Sequence, residues 1–319
     1  MKSLQFQAVR ELVDVAQHIL LLTDERSDGD TFGSSLAFSE YLRGLGKKVS
    51  HHAGSEVMEM LKFLPGIENA TRDTDVLKDS TVDLVIVFDS SRESYVNRKL
   101  EFHLRRTPLI VFDHHASNSG FGDVSIVDPS LSSTCELVYE FLLDSKIKIT
   151  RDMAKCLITG IMTDTRVLSN AVTQSGSVER ASELLMAGGS IKDVVTKIVK
   201  SYPVNRLQLW GRIFERTVKI PDLSLAVVYV TRADLDSTST GHEDYFEVMD
   251  YLAATLDVEV VMFLKELPNK EGVKVSMRSH TIDVSQIAKQ FPGGGGHPGS
   301  CGFTVKGRIE KKGSKVLIK

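Results

Sequence analysis

The sequence predicts an α/β fold in two lobes: an N-terminal parallel-sheet domain, a helical linker and a smaller C-terminal α/β domain. Three observations carry that expectation. Apolar runs at residues 18–22 (HILLL), 84–88 (LVIVF) and 109–112 (LIVF) have the length and continuity of strands buried on both faces. Segments with helical periodicity alternate with these runs, which favours a parallel sheet. Near residue 220 the texture changes and a second set of strand-like segments begins. With 319 residues and 42% hydrophobic content, the chain can bury a core in each of about two domains.

The first segment, MKSLQFQAVRELVDVAQHILLL, reads as an amphipathic helix entering a strand. Arg10, Glu11 and Asp14 interrupt its apolar pattern, so it does not read as a signal peptide. Next come Phe32, Leu36, Phe38, Leu42 and Leu45 at helical spacing, with Gly46 as the stop. Further helices are expected from STCELVYEFLLDS, DMAKCLITGIM and VERASELLMAGG. The catalytic domain is placed at 1–189 and a helical linker at 190–220, with Trp210, Ile213 and Phe214 as its apolar contacts. In the last domain, 221–319, LSLAVVYV, VEVVMFLKEL and VKVSMRS read as strands, and YFEVMDYLAATL and DVSQIAKQF as helices. PGGGGHPGSCGF is the strongest backbone breaker in the chain.

A net charge of -3 and a pI near 6.3 give no sign of avid duplex binding or of a basic membrane patch. No stretch reaches the ~18 uninterrupted apolar residues of a membrane span. Cys135, Cys156 and Cys301 are odd in number and far apart, so no zinc spacing arises and a reduced, cytoplasmic setting is expected.

The chemistry gathers where the apolar runs end. The first runs into Asp24, Asp28 and Asp30, the second into Asp89, and the third into Asp113, His114 and His115. A helical pattern breaks at Asp164. Ligands of open α/β sheets bind outside the carboxyl ends of the strands, so these acids should meet on one edge. Carboxylates crowded there cost free energy unless cations accompany them. Carboxylate plus imidazole, with no thiolate, suits manganese or magnesium ahead of zinc. Asp28 and Asp30 are two apart and share a face in an extended segment, a spacing for two neighbouring ions with Asp89 as the bridge. Glu25 and Arg26 read as solvated or paired, and Asp123 and Asp128 as turn residues. His51 and His52 read as loop or surface residues, and His18, His103, His242 and His280 as residues without a site role.

The joint pattern resembles the DHH phosphoesterase superfamily over nearly the whole chain. SDGDTFGSSLA, VFDSS, DHHASN and GIMTDT are similar to its four motifs, and SMRS, DVSQIAKQF and GGGGHPGSCGF to the DHH-associated C-terminal domain. The layout resembles the two-lobed nano-RNase and pAp-phosphatase branch, whose members are often labelled exopolyphosphatase-related. The resemblance implies a cytoplasmic hydrolase in which a water activated by two divalent ions, manganese first, cleaves short oligoribonucleotides or pAp. It implies Asp28, Asp30, Asp89, His114 and Asp164 as metal ligands, Asp113 as the residue fixing the His114 tautomer, and His115 as a phosphate contact. Many relatives have histidine where Asp24 stands. Carboxylate also binds hard cations, so Asp24 is kept as a ligand. The C-terminal domain would grip a terminal phosphate and base through Arg278, Ser279, Gly293, Gly294, Gly295, Gly296 and His297. A homodimer is also implied. The rival readings are a single-strand exonuclease of the RecJ type, an exopolyphosphatase or pyrophosphatase, and an inactive nucleotide-binding sensor.

Overall fold

The run HILLLT carries no polar alternation because each face of its sheet is covered by a different core. In the computed structural model, β1 (His18–Thr23) is buried throughout. Ile19 and Leu21 join one apolar cluster, and Leu20 and Leu22 the other, as the two-residue side-chain period of a strand requires. The structure describes residues 2–319 apart from 26, 101–103, 169–172, 200–202, 242–245, 268–271, 280 and 313–314. The expectations for Arg26, His103, His242 and His280 fall outside the described residues.

The described chain divides into two compact units, Met1–Ser201 and Tyr202–Lys319. In the first, α1 (Lys2–Val15) precedes β1, and α2 (Gly29–Gly44) leads to β2 (Lys48–His52) and the short β3 (Ala70–Thr71). Then come β4 (Leu84–Phe88), α3 (Glu93–Lys99), β5 (Leu109–Asp113) and β6 (Val124–Val127). The unit closes with α4 (Thr134–Asp144), α5 (Arg151–Asp164), α6 (Ser175–Met186) and α7 (Ile191–Val194), which a π-helical turn extends over Val195–Val199. The strand order is β3-β2-β1-β4-β5-β6, and every pairing is parallel. The chain moves outward to β2 on one side of β1 and to β4 on the other. The carboxyl ends of β1 and β4 therefore flank a topological switch point, where such sheets bind ligands.

The second unit contains the expected strands in a separate mixed sheet. Helix α8 (Val204–Glu215) is followed by β7 (Val218–Ile220), β8 (Leu225–Val230), α9 (Arg232–Thr238) and α10 (Phe246–Thr255). After these come β9 (Val260–Glu266), β10 (Val273–Ser279), α11 (Ser285–Ala288), β11 (Gly295–His297), β12 (Ser300–Val305), β13 (Ile309–Lys312) and β14 (Lys315–Ile318). The sheet order is β11-β12-β10-β9-β8-β7, and only β8 and β9 are parallel within it. The helical stretch expected at 190–220 is divided between the two units. The glycine-rich breaker contains a hairpin: Gly295 faces Gly302, and His297 faces Ser300.

Two histidine expectations are corrected. His51 and His52 end β2, opposite Leu21 and Leu22, and are 2% and 1% exposed. A KVSHH segment lacks an apolar run, so its strand character comes from sheet position instead of side-chain type. Burial holds His51 neutral, with its pKa pushed down to about 3. His18 is buried too, with Nδ1 at 2.7 Å from Thr81 Oγ1 and Nε2 at 2.8 Å from Ser50 Oγ.

Candidate metal centre

Asp28 and Asp30 reach the sheet edge because α2 begins there. Asp28 is its N-cap: Oδ1 accepts from the Asp30 N–H (3.0 Å) and the Thr31 N–H (3.1 Å). Asp30 is fully buried, and its carboxylate sits on the amino end of α4. Oδ2 accepts from the Thr134 N–H at 2.6 Å and Oδ1 from the Cys135 N–H at 2.8 Å. Two orphan amides and the positive end of a helix dipole thus oppose part of its desolvation cost. A Cβ on Gly160 would lie 2.2 Å from Cys135 Sγ and 2.7 Å from Asp30 Oδ1, so α5 can approach this point only with glycine there.

Asp89 leaves β4 in the left-handed region, with φ of 57°. That conformation is uncommon for any residue but glycine, and asparagine and aspartate tolerate it best. The turn delivers its carboxylate to two hydroxyls: Thr31 Oγ1 donates to Oδ2 (2.6 Å) and Thr134 Oγ1 to Oδ1 (3.1 Å). Neither threonine was singled out by the sequence reading. The only signal available for Thr31 was its place in a capping box. Asp164 is the last residue of α5, where the helix dipole disfavours a negative charge.

His114 brings these acids together. Its Nδ1 lies 3.4 Å from Leu131 O, a carbonyl that can only accept, which places a ring proton on Nδ1 and turns Nε2 toward the acids. Nε2 faces Asp164 Oδ2 at 3.4 Å, Asp89 Oδ1 at 3.7 Å and Asp30 Oδ2 at 4.0 Å. Donor atoms of Asp30, His114 and Asp164 all lie within 4.8 Å of one another, as do those of Asp89, His114 and His115. Burial raises the pKa of Asp30, and burial followed by repulsion from neighbouring acids raises those of Asp89 and Asp164 well above the usual range. An unprotonated Nε2 facing three carboxylates is repulsive unless a cation lies among them, whereas a protonated Nε2 is itself the cation they face. The oxygen and imidazole donors fit a divalent cation, and no thiolate joins either group.

Other expected residues have different partners. Asp113 does not fix the His114 tautomer, which is corrected here: its Oδ1 lies 2.8 Å from His115 Nδ1, and its Oδ2 accepts from Asn118 Nδ2 at 2.7 Å. Leu131 O is nearer to His114 in the fold and takes that role. With Nδ1 hydrogen-bonded to Asp113, His115 has its other nitrogen left to meet a ligand. Its pKa is raised, with the Asp113 bond as the largest cause. Among the described residues neither donor group includes Asp24 or Asp28. Asp24 Oδ1 accepts from Arg92 Nη2 (2.8 Å) and Oδ2 from Ser90 Oγ (2.7 Å). Glu25, expected to be solvated or paired, pairs with the same guanidinium. Asp128 serves a turn, accepting from the Ser130 N–H, whereas Asp123 accepts from the Leu109 N–H and so ties the starts of β5 and β6.

In the second unit, Arg278 Nη1 lies 3.3 Å from Met277 O at the end of β10. Ser279 Oγ is engaged by the Thr281 and Ile282 N–H groups (3.2 and 2.8 Å), so it stitches the turn that follows. The four glycines differ. A Cβ on Gly294 would lie 2.0 Å from Ala288 O and one on Gly296 2.4 Å from Ser300 O, whereas Gly293 and Gly295 face open space. Gly293 has φ of 71°, and His297 is exposed on β11.

Comparison with known proteins identifies the family. Residues 18–161 match the DHH family, N-terminal domain, and residues 223–317 match the DHHA1 domain. The chain is 30% identical over 291 residues to the bifunctional oligoribonuclease and PAP phosphatase NrnA of Thermus thermophilus, covering 91% of this chain and 84% of that protein. Its identity to the Bacillus subtilis protein of the same name is 24% over 290 residues, covering 90% and 89%. A crystal structure of an exopolyphosphatase-related protein from Bacteroides fragilis has the same fold, with a TM-score of 0.83 at 23% identity over 94% and 90% of the two chains. Among the described residues no helix is long and apolar enough to cross a membrane. The chain therefore belongs to the DHH family, carries a DHHA1 domain, and is a hydrolase of the metal-dependent phosphoesterase class.

Proposed function

We propose that this protein hydrolyses short oligoribonucleotides and pAp, releasing mononucleotide or inorganic phosphate, and that it uses two divalent cations, manganese ahead of magnesium. The observation that carries the reading is His114 Nε2, set within 4.0 Å of three buried or part-buried carboxylates. Asp28, Asp30, Asp89, His114 and Asp164 are the proposed ligands. Bound there, divalent ions would lower the pKa of a water and draw charge from the phosphoryl oxygens. The chain's own contribution is to hold the donors ready. Amides of α4 fix Asp30, and the hydroxyls of Thr31 and Thr134 fix Asp89, so little reorganisation accompanies reaction. His115, whose pKa the Asp113 hydrogen bond raises, would offer its Nε2–H to a phosphoryl oxygen.

The C-terminal domain would select the substrate. Arg278 would grip a terminal phosphate, while His297 and the backbone at Gly293 and Gly295 would approach the nucleotide. Ser279, Gly294 and Gly296 would shape that surface from within. A grip on one end favours short strands. The names of the relatives from Thermus and Bacillus support this substrate class over polyphosphate or long single strands.

The test is a panel of dinucleotides, pAp, cyclic dinucleotides, long single strands and polyphosphate, assayed with manganese and magnesium in parallel. Dinucleotides and pAp should turn over fastest. Preferred turnover of polyphosphate or of long single strands would overturn the substrate assignment. Arg278→Ala should raise KM at nearly constant kcat. A fall in kcat with KM unchanged would remove Arg278 from the clamp.

A further inference from the structure

The acids of the first loop are not all offset in the same way. Asp24 is 8% exposed, and an unpaired carboxylate at that depth would be costly. Both of its oxygens are occupied by protein donors, one from Arg92 and one from Ser90. The guanidinium spans Asp24 and Glu25 and lies 5.8 Å from the Tyr95 ring centroid. Tyr95 is itself buried, and its hydroxyl donates to Thr23 O at 3.0 Å. This cradle adjoins the metal centre. Ser90 follows Asp89, and Asn118 donates both to Ser90 O (3.2 Å) and to Asp113 Oδ2 (2.7 Å). Asp24 thus has a resident organic cation, whereas Asp30, Asp89 and Asp164 face one another and an imidazole.

We infer that Arg92 is an internal cation that withholds Asp24 from the second divalent ion and so makes the two metal positions unequal. The inference rests on the ligand assignment proposed above. At the position served by Asp30, Asp89, His114 and Asp164, neutral amides and hydroxyls orient Asp30 and Asp89, and the ion binds tightly. The neighbouring position has Asp28 and a share of Asp89, and it gains Asp24 only when that carboxylate leaves the guanidinium. The charge-assisted hydrogen bond from Arg92 Nη2 and the hydrogen bond from Ser90 must be given up first, so the second ion binds more weakly. Arg92 is in this sense a positioning residue that acts through Asp24.

Manganese binding to the EDTA-stripped full chain, measured by calorimetry and by the electron paramagnetic resonance signal of free manganese, tests the inference. The native protein should show two binding events with dissociation constants at least about tenfold apart. In Arg92→Met the gap should close to within about threefold, and manganese should raise the melting temperature more than it does in the native protein. Arg92→Lys should keep the gap. Asp24→Asn, which needs no unpaired charge, should lose the weak event and keep the tight one. Two equal events in the native protein would overturn the inference, as would an unchanged gap in folded Arg92→Met or loss of the tight event in Asp24→Asn. Absence of any manganese binding by the native protein would instead remove the ligand assignment beneath it.

Discussion

Replacing Asp89 by asparagine should stabilise the metal-free protein while abolishing its response to metal. Asp89 Oδ1 and Asp30 Oδ2 lie 3.7 and 4.0 Å from the same nitrogen of His114. Two like charges a few ångströms apart repel by about 2–4 kcal/mol at an effective dielectric constant near 20. The amide keeps the side-chain shape, retains an oxygen for one of the two threonine hydroxyls, and suits the φ of 57°. The hydroxyl that faces the new NH2 can turn to accept from it, so exchange of a charge-assisted hydrogen bond for a neutral one returns about 1 kcal/mol, which leaves a net gain of about 1–3 kcal/mol in EDTA at neutral to basic pH. The pH dependence has a definite sign. Burial, then Asp30, Asp28 and Asp164, raise the Asp89 pKa well above its ordinary 3.8. The native state therefore holds more protons than the unfolded state above that pH. The Asp89 contribution to the stability of the metal-free protein is fullest below 3.8 and is lost as pH rises through the raised value. The advantage of Asp89→Asn should accordingly grow with pH. Urea unfolding in EDTA and in manganese, at one acidic and one basic pH, measures all of this. The reasoning fails if the variant is less stable than the native protein in EDTA at basic pH, or if manganese stabilises both equally.

Three other perturbations probe separate parts of the account. Asp113→Asn removes the main cause of the raised His115 pKa, so the basic limb of the kcat/KM pH profile should move to lower pH; an unmoved limb would show that His115 does not act as the cation. His51 is neutral and buried, with a pKa near 3 against 6.5 when unfolded, so its contribution is complete above 6.5 and is lost as pH falls toward 3. That loss can reach about 1.4 kcal/mol per pH unit, and His51→Leu should flatten the acid side of the stability profile. Gly294→Ala places a Cβ 2.0 Å from Ala288 O and should cost more than about 2 kcal/mol in unfolding free energy. Gly295→Ala meets open space, so it should leave the melting temperature unchanged and raise KM.

Much of the first unit was legible because its strands are short, unbroken apolar runs. Their carboxyl ends must share an edge in a parallel sheet, so Asp30, Asp89 and His114 could be grouped before any coordinates, while Asp164 came from a break in a helical pattern and from the family resemblance. What escaped the sequence depends on partners distant in the chain. Asp24 and Arg92 are far apart in sequence, and nothing local announces that one neutralises the other. Asp113 and His114 are neighbours, yet the turn after β5 directs Asp113 to His115 and gives Leu131 O to His114. Thr31 and Thr134 become carboxylate donors only when α2 and α4 converge. The glycine run read as a breaker because its hairpin is held by backbone pairing, which leaves no side-chain pattern. In β2, sheet position overrode a segment whose last two residues are histidines.

The most direct test of the central claim measures mononucleotide released from a dinucleotide, and phosphate released from pAp, by the EDTA-stripped native protein and by Asp89→Asn as manganese is returned. The native protein should be silent when stripped and regain both activities on titration, while the folded variant stays silent at every manganese concentration. Hydrolysis by the native protein in EDTA, or near-native rates from Asp89→Asn, would contradict a metal-dependent centre built on these carboxylates.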